Sequence, residues 1–314
     1  MSRASSDEQW SGAGVPHQTG RTAVITGASS GVGFQAAKAL TELGAQVVLA
    51  CRNMQKAKAA ADRIIAVTPH AALHLVHLDL SSLASVRNAS QELLDSYGAI
   101  DLLINNAGVM WAPHEHTVDG VEMHLGVNHL GHFALTGLIL DRLLVAEGSR
   151  IVVVTSPSHR QGRLDLDDLD NGAHYNRGAA YARSKLANLL FTYELQRRLA
   201  AASASTIALA AHPGAARTEL NRHMPRPFRG ASWGLSRPLT HSAEKGVLPL
   251  LRAALDPAAA GGDYIAPSGK REFKGCPVRR ESSDLSHDRQ LQSRLWQISE
   301  DLCAVSYEIS PPAR

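Results

Sequence analysis

Tyr181 and Lys185 are the residues of this chain whose types and spacing best suit chemistry. They lie four apart in Tyr181-Ala-Arg-Ser-Lys185, inside a run that predicts a helix over 179–199. The phenol and the ammonium therefore share one helical face. A phenol with a pKa near ~10 is a poor acid or base at neutral pH. A lysine cation beside it favours the phenolate, which predicts a lowered tyrosine pKa. The same spacing occurs on ordinary solvated helix faces. It becomes specific in combination with Ser156, at the end of an expected strand over 150–156, because that hydroxyl can hold the same substrate oxygen.

Other chemistries are excluded by pattern. No G-K-[ST] follows the glycine-rich stretch, so this is not an NTPase phosphate loop. No G-x-S-x-G nucleophile elbow occurs. Fifteen histidines are present, but none in H-E-x-x-H. His129 and His132 are three apart without an evident third ligand, so they are expected to pack or hydrogen-bond, and no metal site is expected.

The elements that must position Tyr181, Lys185 and Ser156 begin with Thr22-Ala-Val-Ile-Thr-Gly-Ala-Ser-Ser-Gly-Val-Gly33. A β-branched strand, Thr22–Thr26, runs through a turn into a helix stopped at Gly44. Such a turn aims free backbone N–H groups at one point, with the positive end of the helix dipole behind them. Strands are expected at 46–50, 73–78, 101–105, 150–156, 205–211 and 263–266, with helices at 54–67, 81–97, 179–199, 242–255 and 284–304. Six unbroken βα alternations predict an α/β fold: a single doubly wound Rossmann domain over 20–314, with about seven parallel strands and helices on both faces. Ligands of such sheets bind at the carboxyl ends of the strands.

Bulk properties agree. The 314 residues are 44% hydrophobic and 19% charged, and the net charge is +3 with scattered basic residues. These values indicate a globular protein and no nucleic-acid partner. Cys51, Cys276 and Cys303 form neither a disulfide ladder nor a metal-spaced set, as expected for a reducing cytoplasm. Residues 1–19 read as a flexible lead-in, 215–240 as a substrate lid, and 267–314 as a C-terminal extension. No apolar run reaches membrane length, so no membrane anchor and a cytoplasmic location are expected. The 179–199 helix is apolar on more than one face. A second subunit in a homodimer or homotetramer could cover it, and burial within one chain fits the same pattern.

Six motifs occur in order: T-G-x-x-x-G-x-G (Thr26–Gly33), N-N-A-G (Asn105–Gly108), Asn128, Ser156, Tyr181 with Lys185, and P-G-x-x-x-T (Pro213–Thr218). Together they resemble the short-chain dehydrogenase/reductase family over about residues 20–220. The blocks 126–133, 182–190 and 212–220 resemble its retinol-dehydrogenase-like and WW-domain-oxidoreductase-like branch. The resemblance implies a Tyr181 that exchanges a proton with a carbonyl or alcohol substrate while hydride moves to or from a nicotinamide. It implies that Lys185 holds the nicotinamide ribose and lowers the tyrosine pKa, that Ser156 orients the substrate oxygen, and that Asn128 holds a water leading to Lys185. Gly27, Ser29, Ser30, Gly31, Val32 and Gly33 would bind the cofactor phosphates and adenosine. Asp79 and Leu80 would edge the adenine, and Asn106, Ala107 and Gly108 would floor the site. Pro213, Gly214, Ala216 and Thr218 would contact the nicotinamide side. Thr155 and Pro157 depart from the family pattern around Ser156.

An NAD site places a carboxylate at the end of the second strand, about 20 residues after the glycine turn. Cys51 stands there, followed by Arg52, a guanidinium suited to a 2′-phosphate. NADP(H) is therefore expected rather than NAD(H). The leading function is an NADP(H)-dependent alcohol dehydrogenase or carbonyl reductase. A conjugated C=C reductase and a non-catalytic NADP-binding regulator are the alternatives. The lid arginines Arg222, Arg226, Arg229 and Arg237, with Phe228 and Trp233, suit either an acidic or extended apolar substrate or an ordinary solvated loop.

Overall fold

The computed structural model describes residues 10, 12, 15–170, 172–214 and 242–309. The expected lid, with Ala216 and Thr218, lies outside the described residues. The elements run β1 (Thr22–Thr26), α1 (Gly31–Glu42), β2 (Gln46–Cys51), α2 (Met54–Ile65), β3 (Leu73–His77), α3 (Leu83–Ser96) and β4 (Leu102–Asn105). There follow α4 (Met123–Leu125), a π-helical turn (Gly126–Leu130), α5 (Gly131–Leu138), α6 (Leu140–Val145), β5 (Arg150–Val154) and α7 (Arg177–Ala201). The rest is β6 (Ile207–Ala211), α8 (Ala243–Gly246), α9 (Leu248–Leu255), β7 (Tyr264–Pro267), β8 (Pro277–Arg280) and α10 (Arg289–Cys303).

The strands form one sheet in the order β3-β2-β1-β4-β5-β6-β7-β8. Neighbours are parallel from β3 through β7, and β8 is antiparallel to β7. The sheet thus has eight strands rather than about seven parallel ones. The extra strand escapes pattern reading because Pro277-Val-Arg-Arg280 offers one β-branched residue, and its leading proline is tolerated at a sheet edge.

Alternation along the buried strands splits the core in two. Ile25, Leu49, Ile104, Val152 and Leu209 face α1, α2 and α9. Val24, Val48, Leu103, Ile151 and Val153 face α3, α5, α7 and α10. Each such side chain contributes about 1.5–3 kcal/mol when fully buried. The crossing point between β1 and β4, where the chain changes face, opens at the strands' carboxyl ends.

Local caps explain where the expected helix bounds shift. Asn176 accepts hydrogen bonds from the amides of Gly178 and Ala179 at 3.0 Å each, so α7 starts at Arg177. The expected 284–304 helix begins as a 3-10 turn, Asp284–His287, and Asp288 then caps α10. Around Val247 the expected 242–255 helix divides into α8 and α9. The inner end of the lead-in is attached: Gln18 is buried, its amide donates to the Leu43 carbonyl at 2.7 Å, and Trp10 packs on the core. The apolar faces of α7 are covered from within the chain, by Leu295 and Trp296 of α10 and by Tyr264. Among the described residues, no helix is long and apolar enough to cross a membrane.

Candidate active site

The turn between β1 and α1 has the shape its glycines predict. Gly27 and Gly31 are left-handed, at φ +68° and +58°. A Cβ on Gly33 would come within 2.6 Å of the Gly27 carbonyl oxygen and would strike the Asn106 side chain. Bare backbone is what allows β1, α1 and the end of β4 to meet there. Ser30 is the N-cap of α1, yet its side chain caps no amide, and the first turn carries no acidic residue. The opening amides of α1 remain available to an anion. These features fit a dinucleotide's pyrophosphate.

The end of β4 is locked onto this turn. Thr26 Oγ1 accepts from the amides of Asn106 and Ala107, both at 2.9 Å, and Asn106 Nδ2 donates to the Thr26 carbonyl at 2.8 Å. His132 Nδ1 donates to the Asn128 carbonyl at 3.1 Å, which leaves Nε2 to accept from Thr26 Oγ1 at 2.8 Å. Burial lowers the His132 pKa to about 4, so the ring is neutral and this tautomer is retained. His129 is likewise buried and bonded, to Ser299 at 2.9 Å.

Cys51 occupies the carboxylate position at the end of β2. Its thiol is raised by burial and hydrogen-bonded to the backbone of Ala28 and to Ser29, and Arg52 beside it is exposed. Asp79 takes the Ser81 amide at 3.0 Å and hydroxyl at 2.7 Å, which fixes the turn after β3. Leu80 is buried against Gly131. After β6, His212 Nδ1 accepts from the Gly214 amide at 3.1 Å and holds Pro213-Gly214 in place.

Ser156, Tyr181, Lys185 and Asn128 do come together. Ser156, just past β5, is the N-cap of the 3-10 turn Pro157–Gln161, with Pro157 at its first position. Its hydroxyl donates to Ser158 Oγ at 3.2 Å and lies beside the Tyr181 phenol, whose pKa it works to lower. Tyr181 and Lys185 are 8% and 4% exposed, and the Lys185 Nζ lies 5.8 Å from the Tyr181 ring centroid. That Nζ donates to the Val154 carbonyl at 3.1 Å. A Cβ on Gly108 would sit 3.0 Å from Asn128 Oδ1 and 3.7 Å from Lys185 Nζ. Asn128, on the π-turn, exchanges hydrogen bonds with the backbone of Val109 at 2.7 and 3.0 Å and donates to Ser184 at 2.9 Å. Its side chain is thus engaged in joining the β4 loop to α7. Ser184 in turn donates to the Tyr181 carbonyl at 2.8 Å. Thr155 Oγ1 donates to the Lys185 carbonyl at 2.8 Å.

Burial reverses one expectation. The Tyr181 pKa is raised to about 12 by desolvation, although Ser156 opposes the rise, and burial lowers Lys185 to about 8. The i,i+4 spacing says nothing of desolvation, which is the largest influence here.

A buried group behind Tyr181 was not evident from the sequence. Glu122 and His124 are both fully buried, with Oε1 and Nδ1 at 2.7 Å, and Arg183 Nη2 is 3.6 Å from Glu122. Burial works to raise the Glu122 carboxyl, but hydrogen bonds from His124 and from the amides of His124 and Leu125 hold it below the usual range. The His124 ring stands edge-on to Tyr181 at 6.3 Å. The one available signal is an ionisable pair, Glu122 and His124, set between Val121, Met123 and Leu125.

Comparison with known proteins decides the family. The short chain dehydrogenase family model matches residues 21–227. The chain belongs to the short-chain dehydrogenase family. It is 39% identical to human retinol dehydrogenase 12 over 92% of this chain and 88% of that protein, and 40% identical to human retinol dehydrogenase 13 over 88% and 82%. The retinol-dehydrogenase-like branch is therefore the right one, and the chain is an oxidoreductase acting on alcohol and carbonyl groups. Its fold is similar to an uncharacterized protein from Mycobacterium Paratuberculosis, with a TM-score of 0.79 and 37% identity over 95% of this chain and 99% of that one. The Pseudomonas aeruginosa RhlG/NADP active-site complex is similar at a TM-score of 0.63 and 25% identity, over 79% and 96%.

Proposed function

We propose that this short-chain dehydrogenase uses NADP(H) and that Tyr181 exchanges the proton with the substrate oxygen. The observation that carries the reading is the meeting of Ser156 with the buried Tyr181 phenol, with the Lys185 Nζ 5.8 Å from the Tyr181 ring on the same helical face. When bound, the nicotinamide supplies or accepts the hydride. In reduction, the protonated Tyr181 donates its proton to the carbonyl oxygen as negative charge develops there. Ser156 holds that oxygen from a second side and shares the charge. The Lys185 cation offsets the charge left on the phenolate. Asn128 keeps Gly108 and Val109 against α7, so that the cofactor floor and the proton donor hold one geometry.

The turn Gly27–Gly33, with Ser29, Ser30 and Val32, would hold the phosphates, and Asp79 and Leu80 the adenine edge. Asn106, Ala107, Gly108, Pro213 and Gly214 would surround the nicotinamide half, with Lys185 and Tyr181 at its ribose; Ala216 and Thr218 complete the proposed set. Arg52 would pair with a 2′-phosphate, where no carboxylate stands to repel it. The names of the relatives make long apolar aldehydes, retinal first, the substrates to test. The test is kcat/KM with NADPH and NADH for wild type and Arg52→Ala. Wild type should favour NADPH by about tenfold or more, as a charge-assisted hydrogen bond requires, and the variant should lose that margin. Equal use of both cofactors by wild type, or an undiminished preference in the variant, would refute the assignment.

A further inference from the structure

His114, His116 and Asp170 lie outside the proton-transfer machinery, yet their ligand atoms converge within 4.8 Å of one another. We propose that they bind one divalent late first-row transition ion, with zinc the best match, and that this ion staples the loop after β4 to the loop after β5. His116 forms an isolated antiparallel bridge with Glu122, and the His114 and His116 rings lie 5.2 Å apart, centroid to centroid. Asp170, 54 residues beyond His116, meets them from the other loop. Its Oδ1 lies 3.0 Å from His114 Nε2 and 2.8 Å from His116 Nε2.

Zinc bonds of about 2.0–2.2 Å in tetrahedral geometry separate their ligand atoms by roughly 3.3 Å. The two His–Asp separations would widen by a few tenths of an ångström, and the two imidazole nitrogens, within 4.8 Å of each other, would close to the same distance. Two imidazoles and one carboxylate suit zinc, copper or nickel, and are poor in oxygen for magnesium or calcium. The ligands are also oriented by neighbours. The His114 ring stacks on Tyr175 at 4.4 Å and 20°, and the Tyr175 hydroxyl is tied to the carbonyls of Ala112 and Pro113 and to Glu122. A Cβ at position 172 would come within 2.7 Å of Asp170 Oδ2, so Gly172 leaves the carboxylate its room. Side-chain exposures of 34%, 44% and 43% leave a fourth position open to water. Pattern reading misses the site because a His-x-His pair is completed by a residue in another loop. The inference holds whatever the substrate is.

The test uses tag-free, metal-stripped full chain titrated with zinc chloride against a chromophoric chelator. Wild type should bind one zinc per chain, and the zinc absorption edge should show two imidazoles with oxygen completing the shell. His116→Gln and Asp170→Asn should each weaken binding at least tenfold, while His70→Ala, an exposed histidine elsewhere, should bind as wild type does. The substitutions are on exposed side chains, and circular dichroism verifies that the variants fold. Absence of stoichiometric zinc in wild type, or a loss below tenfold in both variants, would overturn the proposal.

Discussion

The β1–α1 turn holds its shape with bare backbone, whereas the β5–α7 side holds ionisable side chains out of water. At the turn, Thr26 Oγ1 takes the amides of Asn106 and Ala107 and bonds the neutral His132, so this network closes without charge. At α7, Lys185 is drawn down to about 8 and Tyr181 up to about 12, both by burial. Backbone geometry can therefore coincide with stability, while the proton chemistry proposed for α7 would be installed at stability's expense. Substitutions on the two sides should have opposite consequences, and that contrast can be broken experimentally.

Lys185→Met gives the largest expected effect. Turnover should fall by roughly 10²–10⁴-fold, the range for a lost acid–base contribution. The melting temperature should nevertheless rise, because a desolvated cation is replaced by an apolar chain of similar length. The Val154 carbonyl stays bonded, since Asn188 Nδ2 also donates to it at 3.0 Å. The sign follows from linkage. Below about 8 both folded and unfolded chains carry the proton, and the folded state bears the whole desolvation cost. Between about 8 and the ordinary 10.5, only the unfolded chain keeps it, so stability climbs with pH. A lower melting temperature at pH 7 would break the contrast.

Gly33→Ala should do the reverse. Its Cβ would meet the Gly27 carbonyl and the Asn106 side chain, so the turn must open. Cofactor affinity should drop about tenfold or more and stability by about 1–3 kcal/mol, as seen for forced overpacking. Isothermal titration and thermal melts read the two quantities. Tight NADPH binding with an unchanged melt would mean that the turn does not depend on bare backbone.

The smallest expected effect is in the pH profile. Reductive kcat/KM should hold through neutral pH and decline above about 8, as Lys185 loses its charge. A profile flat to pH 10 would show that the cation contributes nothing to the step.

Much of this was legible in the residues. The β1 turn, the βα alternation and the shared face of Tyr181 and Lys185 follow from local rules: glycine where φ is positive, period-two strands, and i,i+4 helix faces; Ser156 was legible only through the ordered motifs. What escaped depends on distant partners. The β8 edge strand has little apolar pattern of its own and forms by pairing with β7. Glu122, His124 and Arg183 become one buried group only when α4 meets α7. The rise of the Tyr181 pKa reflects desolvation, which spacing along a helix does not encode.

Tyr181 is proposed to move the proton without by itself holding the cofactor in place. The most direct test of that role is Tyr181→Phe, which keeps the ring against His124 and removes only the hydroxyl. NADPH affinity, read by fluorescence titration, should stay within about threefold of wild type. Carbonyl reduction should fall by roughly 10²–10⁴-fold. A Tyr181→Phe enzyme that reduced its carbonyl substrate at the wild-type rate would contradict this role.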